Sequence, residues 1–125
     1  MKKSGILNAR LAGLIAALGH GDALVIADAG LPIPRGVEVI DLAVVLGTPG
    51  FWPVLDAVLD EMVVESATVA EEAAALTSAF EERLPVKTVS HEELKRISCT
   101  ARAVIRTGEA TPYANIVLTA GVAFS

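Results

Sequence analysis

Apolar positions near the start of the chain follow a helical rhythm. Between residues 8 and 18, leucine and isoleucine recur at the i, i+3, i+4, i+7 spacing that is typical of an amphipathic helix. Asn8 is suited to cap the first turn, and Gly19 is suited to end the helix. The pattern therefore predicts a first helix that packs one face on a core.

A different pattern follows at once. Ala23–Ala27 is a short uninterrupted apolar run, and such a run is typical of a buried strand. His20 lies just before the run, Asp28 directly follows it, and the turn sequence AGLPIP comes next. Strand ends are where side chains of α/β proteins reach solvent, so these two titratable residues are candidates for function.

The rest of the chain alternates strand and helix patterns. Strands are predicted at residues 37–45, 62–69, 86–89, 101–106 and 116–120, and helices at residues 51–61, 70–83 and 91–98. Ser90 and Glu93 form the sequence of a capping box, which makes His91 the first residue of the last helix. Interleaved strands and helices predict one α/β domain over residues 1–125, with three αβα layers and a mainly parallel sheet.

Composition narrows this picture. Hydrophobic residues make up 53% of the chain and aromatic residues only 4%, which suits parallel strands covered on both faces and a surface partly hidden in an oligomer. The formal net charge of −5 argues against nucleic acid as a partner. No stretch reaches the ~20 continuous apolar residues of a membrane span, and the N-terminus lacks a signal-peptide cleavage site, so we expect a cytoplasmic protein.

Two pairs of residues are candidates for chemistry. His20 and Asp28 suit general acid/base catalysis, with Asp28 orienting the imidazole or binding a hydroxyl group. The alternative is a loop histidine and an aspartate that caps a turn. His91 and Lys95 share one helix face at i and i+4. Their alternative is an ordinary first-turn residue followed by a surface lysine.

The turn RTGEATPYAN, residues 106–115, is the third candidate. Tyr113 and Asn115 before a strand can donate hydrogen bonds to hydroxyl groups and accept hydrogen bonds from them, although ordinary turn chemistry would use the same residues. For Arg106 and Glu109 the sequence suggests no more than a local ion pair.

Several signatures of cofactor and metal chemistry are absent from the sequence. It contains no P-loop, no G-x-G-x-x-G after a strand and no G-x-S-x-G. The single cysteine and two widely separated histidines make a zinc site improbable. We therefore expect a protein that needs neither a metal nor a cofactor.

Four stretches together resemble the ribose pyranase/fucose mutarotase family. They are KKSGILN, LGHGDALVIADAGLPIPRG, SHEELK and AVIRTGEATPYANIVLTAGVAF. The resemblance covers nearly the whole chain except the helical region at residues 70–85. It implies interconversion of the pyranose and furanose forms of D-ribose without metal or coenzyme, which would supply furanose for ribokinase. It also implies rings assembled as decamers of two stacked pentamers, with sites between subunits.

The resemblance also implies a set of site residues. His20 of the LGH motif corresponds to the family's acid/base. The positions expected to bind the sugar are Asp28, His91, Lys95, Tyr113 and Asn115. Two alternatives stay open: a mutarotase that inverts the anomeric centre of another monosaccharide such as fucose, and a non-catalytic sugar-binding module.

Overall fold

The computed structural model of the chain describes residues 1–124 and has a six-stranded sheet at its centre. The strands are β1 (Ala23–Ala27), β2 (Glu38–Asp41), β3 (Val64–Ala70), β4 (Lys87–Val89), β5 (Ala103–Arg106) and β6 (Ile116–Ala120). The helices are α1 (Ala9–Ala17), α2 (Phe51–Leu59), a 3₁₀ helix (Glu71–Leu76), α3 (Thr77–Glu81) and α4 (His91–Ser98). The predicted α/β fold is confirmed.

The sheet is mixed, in the order β2-β5-β1-β6-β3-β4. β1 and β2 pair parallel with β5, and β3 pairs parallel with β4, whereas β6 runs antiparallel to both β1 and β3. The expectation of a mainly parallel sheet is therefore confirmed, with β6 as the exception. Because β6 is reversed, it begins at the edge of the sheet where the other strands end.

Side-chain alternation divides the core between the two faces of the sheet. Leu24 and Ile26 of β1 join a large apolar cluster with α1, α2 and α3, whereas Val25 and Ala27 join a smaller one with Leu94 of α4. A strand turns successive side chains to opposite faces, so a continuous apolar run is expected where both faces are covered. This arrangement confirms the three αβα layers.

Two predicted elements differ from the structure. The helix expected at residues 70–83 is a 3₁₀ helix followed by the short α3, with non-helical backbone at Ala73. The strand expected at residues 37–45 ends at Asp41, whose carboxylate accepts a hydrogen bond from the Ala43 N–H and turns the chain away. At the end of β2 this turn contact overrides the apolar pattern that predicted a longer strand.

The loop after β2 carries an unusual amount of exposed apolar surface. Val44 and Leu46 are 77% and 75% exposed, and Val45 between them is also exposed. Contiguous exposed apolar side chains of this kind are typical of protein contact surfaces. Within residues 1–124, no helix is long and apolar enough to cross a membrane.

The start of α1 allows a direct test of the prediction that Asn8 caps this helix. The Asn8 side chain accepts a hydrogen bond from the Leu11 N–H at 2.9 Å, so Asn8→Ala should lower the free energy of unfolding by about 1 kcal/mol. Asn8→Ser keeps an acceptor and should lose much less. Urea denaturation at one fixed protein concentration measures both variants, and equal stability of Asn8→Ala and wild type would contradict the assignment.

Candidate functional site

A cavity of about 690 Å³ opens at the edge of the sheet where the parallel strands end. β1, β5 and β2 end there in register, since Ala27 and Asp41 both pair with Arg106, and β6 begins there because it is reversed. The residues that follow or precede these strand ends therefore converge. The polar and aromatic side chains that line the cavity include Asp28, His91, Arg106, Glu109 and Tyr113.

Asp28 is held in a fixed orientation by a buried amide. The Asn115 Oδ1 accepts a hydrogen bond from the Asp28 N–H at 2.8 Å, and the Asn115 Nδ2 donates to the Asp28 carboxylate at 3.2 Å. Asn115 is 0% exposed, so its side chain reaches the cavity only through Asp28. The second carboxylate oxygen of Asp28 accepts from the Gly30 N–H at 2.9 Å.

His91 and Tyr113 form an aromatic pair beside Asp28. Their rings meet edge to face, with centroids 5.0 Å apart. The His91 Nδ1 is buried and has no hydrogen-bond partner among residues 1–124, and such an atom is an expected contact for a polar ligand. Tyr113 has a φ of 65°, a strained conformation for a non-glycine residue that is often found at functional sites.

Lys95 lies one helical turn beyond His91, as the i, i+4 spacing predicted. Its ammonium group pairs with Glu92 at 2.7 Å, and Lys95 is not among the residues that line the cavity. In this single chain it is therefore a neighbour of the cavity wall and not a part of it.

His20 lies at the opposite edge of the sheet from the cavity. It precedes β1 while Asp28 follows it, and five residues of strand at ~3.3 Å each span about 17 Å. The His20 Nε2 instead lies 2.7 Å from a carboxylate oxygen of Glu65, at the start of β3. The prediction that Asp28 orients His20 is therefore wrong within one chain, because a strand separates the two side chains.

Arg106 and Glu109 do not form the local ion pair that the sequence suggested. Arg106 pairs with Asp41 at 3.0 Å across neighbouring strands. Glu109 accepts hydrogen bonds from the Phe51 N–H at 2.9 Å and from the Thr111 N–H at 3.2 Å. These backbone donors, that of Phe51 foremost, lower the pKa of Glu109 below its usual value. Glu109 thus fastens the cavity loop to the first turn of α2.

The sequence did not single out Glu65 or Leu46. Glu65 is a charged residue in a strand pattern, and its contact with His20 spans 45 positions of the chain, so no local spacing signals it. Leu46 lines the cavity although it is largely exposed, and its only signal was the uncharged run around it. Within the described residues 1–124, no cluster of three or more His, Cys, Asp or Glu side chains could hold a metal ion.

Comparison with known proteins gives consistent results over the full length of the chain. The RbsD / FucU transport protein family matches residues 1–123. The D-ribose pyranase 1 of Rubrobacter xylanophilus is 54% identical, and the D-ribose pyranase of Cutibacterium acnes is 55% identical. Each alignment covers 99% of this chain and 100% of the relative. The structure of Bacillus subtilis RbsD complexed with D-ribose is 48% identical, with a TM-score of 0.89, over 99% of this chain and 100% of that one.

The Glu109 contacts predict a pH-dependent contribution to stability. A carboxylate with a pKa below its ordinary value of 4.5 stabilises the fold above that pH, and the contribution is lost as the pH falls through the lowered pKa. Glu109→Gln should therefore lower the free energy of unfolding by about 1 kcal/mol at pH 7.

Urea denaturation across an acid-to-neutral pH series at one protein concentration measures this contribution. The difference between Glu109→Gln and wild type should shrink as the pH falls below 4.5. Glu81→Gln, at an exposed position in α3, is the matched control and should show little difference at any pH. A Glu109→Gln difference that stays constant with pH would contradict the assignment.

Proposed function

This chain belongs to the RbsD / FucU transport protein family, and we propose that it is an isomerase that interconverts β-D-ribopyranose and β-D-ribofuranose. The observation that carries the proposal is full-length identity above 50% to proteins named D-ribose pyranase. The match to a ribose-bound RbsD structure supports D-ribose as the ligand. A cytoplasmic location and delivery of furanose to ribokinase remain parts of the same proposal.

The reaction requires proton transfer and the positioning of hydroxyl groups. Ring opening of the pyranose removes a proton from the anomeric hydroxyl and delivers one to the ring oxygen, and reclosure through the 4-hydroxyl gives the furanose. No electrons are transferred, so positioned acid/base groups suffice for the chemistry, and general acid/base assistance contributes ~10²–10⁴-fold.

The cavity offers hydrogen-bonding groups of the kinds that bind a neutral sugar. The carboxylate of Asp28 accepts from hydroxyl groups, and the imidazole of His91 and the phenol of Tyr113 can donate or accept. We assign Asn115 to the sugar site through Asp28, which it orients. Lys95 of α4 is the remaining member of the predicted sugar-binding set, and in the single chain it lies outside the cavity wall.

His20 is the proposed group that moves the proton, and its position requires a second subunit. A site that uses both His20 and Asp28 cannot form within one chain, because β1 separates them. A second copy whose His20 edge packs against the cavity would bring them together. The exposed Val44–Leu46 surface beside the cavity, of which Leu46 forms part of the wall, is the apolar surface that such a copy would cover.

We therefore propose a homo-oligomer with sites between subunits, organised as the predicted decamer of two pentameric rings. Burial of Val44 and Leu46 at a contact would cover two of the most exposed large apolar side chains of a chain that is 53% hydrophobic. Small domains bury a limited fraction of their surface alone, so subunit contacts add apolar burial.

NMR exchange spectroscopy with D-ribose tests the activity and the role of His20. Wild type should accelerate pyranose–furanose exchange, and His20→Ala should lose about 10²-fold or more of that acceleration. Exchange restricted to α- and β-pyranose would identify a mutarotase instead. Sugar binding without any acceleration in wild type would identify a non-catalytic binding module.

Subunit mixing tests whether the site lies between chains. His20→Ala and Asp28→Asn are each expected to be inactive alone, but co-expressed in one oligomer they should regain about a quarter of wild-type activity, since each site draws on two subunits at random. Co-expression of His20→Ala with His20→Gln is the control and should regain none. No recovery in mixed oligomers verified by mass spectrometry would overturn the inter-subunit site.

A further inference from the structure

Among residues 1–124, the imidazole of His20 has one hydrogen-bond partner, the carboxylate of Glu65. The His20 Nε2 and the Glu65 Oε2 are 2.7 Å apart. An ionised carboxylate only accepts hydrogen bonds, so the Nε2 must carry the proton. The neutral imidazole in that tautomer has its free lone pair on Nδ1.

Glu65 reaches His20 because β3 has an extra residue at this point. Val64 pairs with Ala120 and Ser66 pairs with Thr119, so two steps along β3 match one step along β6 and Glu65 has no partner of its own. This is the arrangement of a β-bulge, which bends the strand and redirects a side chain, commonly next to an active site.

The loop that carries His20 is fastened to the same place. The Gly21 N–H donates to the Ala120 carbonyl at 2.8 Å, and the Ala120 N–H donates to the Asp22 carbonyl at 2.8 Å. The Asp22 carboxylate accepts from the Gly19 N–H and from Arg102, each at 2.8 Å. Ala120 therefore ties the His20 loop to the strand position that faces the bulge.

Gly121 allows Glu65 to approach this closely. A Cβ atom on Gly121 would lie 3.2 Å from the Glu65 Cβ, which is tighter than ordinary van der Waals contact. The Gly121 N–H also donates to the Val63 carbonyl at 2.9 Å. Glycine at position 121 thus leaves the space that Glu65 occupies.

We propose that Glu65 is a positioning residue for His20, held in place by the bulge in β3. It fixes the imidazole in the tautomer with a proton on Nε2, leaves Nδ1 to take the anomeric proton and return it to the ring oxygen, and stabilises the imidazolium that forms in between. The inference rests on the proposed function, in which His20 moves the proton. A catalytic base whose orientation is fixed by a neighbouring side chain is a common arrangement in enzymes.

The pair is exposed in the single chain, with His20 and Glu65 side chains 63% and 46% exposed. Exposed ion pairs contribute little to stability, so removal of Glu65 should leave the free energy of unfolding nearly unchanged. The same change should disturb the orientation and tautomer of the His20 imidazole. This separates a positioning role from a structural one.

Steady-state exchange kinetics with D-ribose measure the positioning role. Glu65→Ala should lower kcat by about 10-fold or more, within the ~10²–10⁴-fold that acid/base catalysis supplies, while KM changes by less than about twofold. Glu65→Gln keeps an acceptor without the charge and should fall between Glu65→Ala and wild type. Gly121→Ala, which crowds Glu65 without removing it, should lower kcat in the same direction.

The control is Glu38→Gln in β2. It removes a partly exposed carboxylate that pairs with Arg10 of α1, and it should leave kcat unchanged. If His20→Ala is inactive while Glu65→Ala retains wild-type kcat, the positioning role is wrong and the proposed function stands. If His20→Ala itself retains full activity, the failure lies with the proposed role of His20.

Imidazole nitrogen NMR gives a readout that does not depend on activity. The chain has two histidines, so a His91→Asn variant assigns the His20 signals. Wild type should show a protonated Nε2 and an unprotonated Nδ1, and Glu65→Ala should show a mixture of both tautomers. An unchanged tautomer in Glu65→Ala would overturn the proposal, whatever its kinetics.

Discussion

The parallel pairing of β1 with β5, together with the reversed β6 between β1 and β3, is the constraint on which the rest of the structure depends. It divides the candidate site residues between the two opposite ends of the strands. At one edge, strands end and β6 begins, so Asp28 and the turn before β6 converge. At the other, β1 begins and β6 ends, so His20 meets Glu65. β1 acts as a rigid spacer about 17 Å long between them.

Each edge is stabilised by hydrogen bonds to backbone groups from distant parts of the chain. Asn115 holds Asp28, Glu109 holds the first turn of α2, and Asp22 holds the loop before β1. These contacts satisfy strand-end and helix-end donors that would otherwise lack partners. The same contacts fix the positions of the candidate sugar-binding and proton-transfer side chains. These hydrogen bonds therefore contribute both to the stability of the fold and to the geometry of the candidate site.

The distribution of apolar surface connects the fold with the proposed assembly. Both faces of the sheet are covered, but the loop after β2 leaves Val44, Val45 and Leu46 exposed beside the cavity. The proposed site, which uses both His20 and Asp28, needs a second copy of the chain, because the two residues lie at opposite ends of β1. One contact between subunits would therefore bury this surface and complete the site.

The sequence by itself determined what depends on neighbours a few positions apart. It predicted α1 with its Asn8 cap, the start of α4 at His91, and the burial of β1. Helix caps and the periodicities of helices and strands depend only on residues that are close together in the sequence. Only the tertiary structure decided which partner each polar side chain meets. Glu65 contacts His20 across 45 positions, and Arg106 contacts Asp41 across 65. Strand order and the bulge in β3 set these contacts, and neither leaves a local signal in the chain.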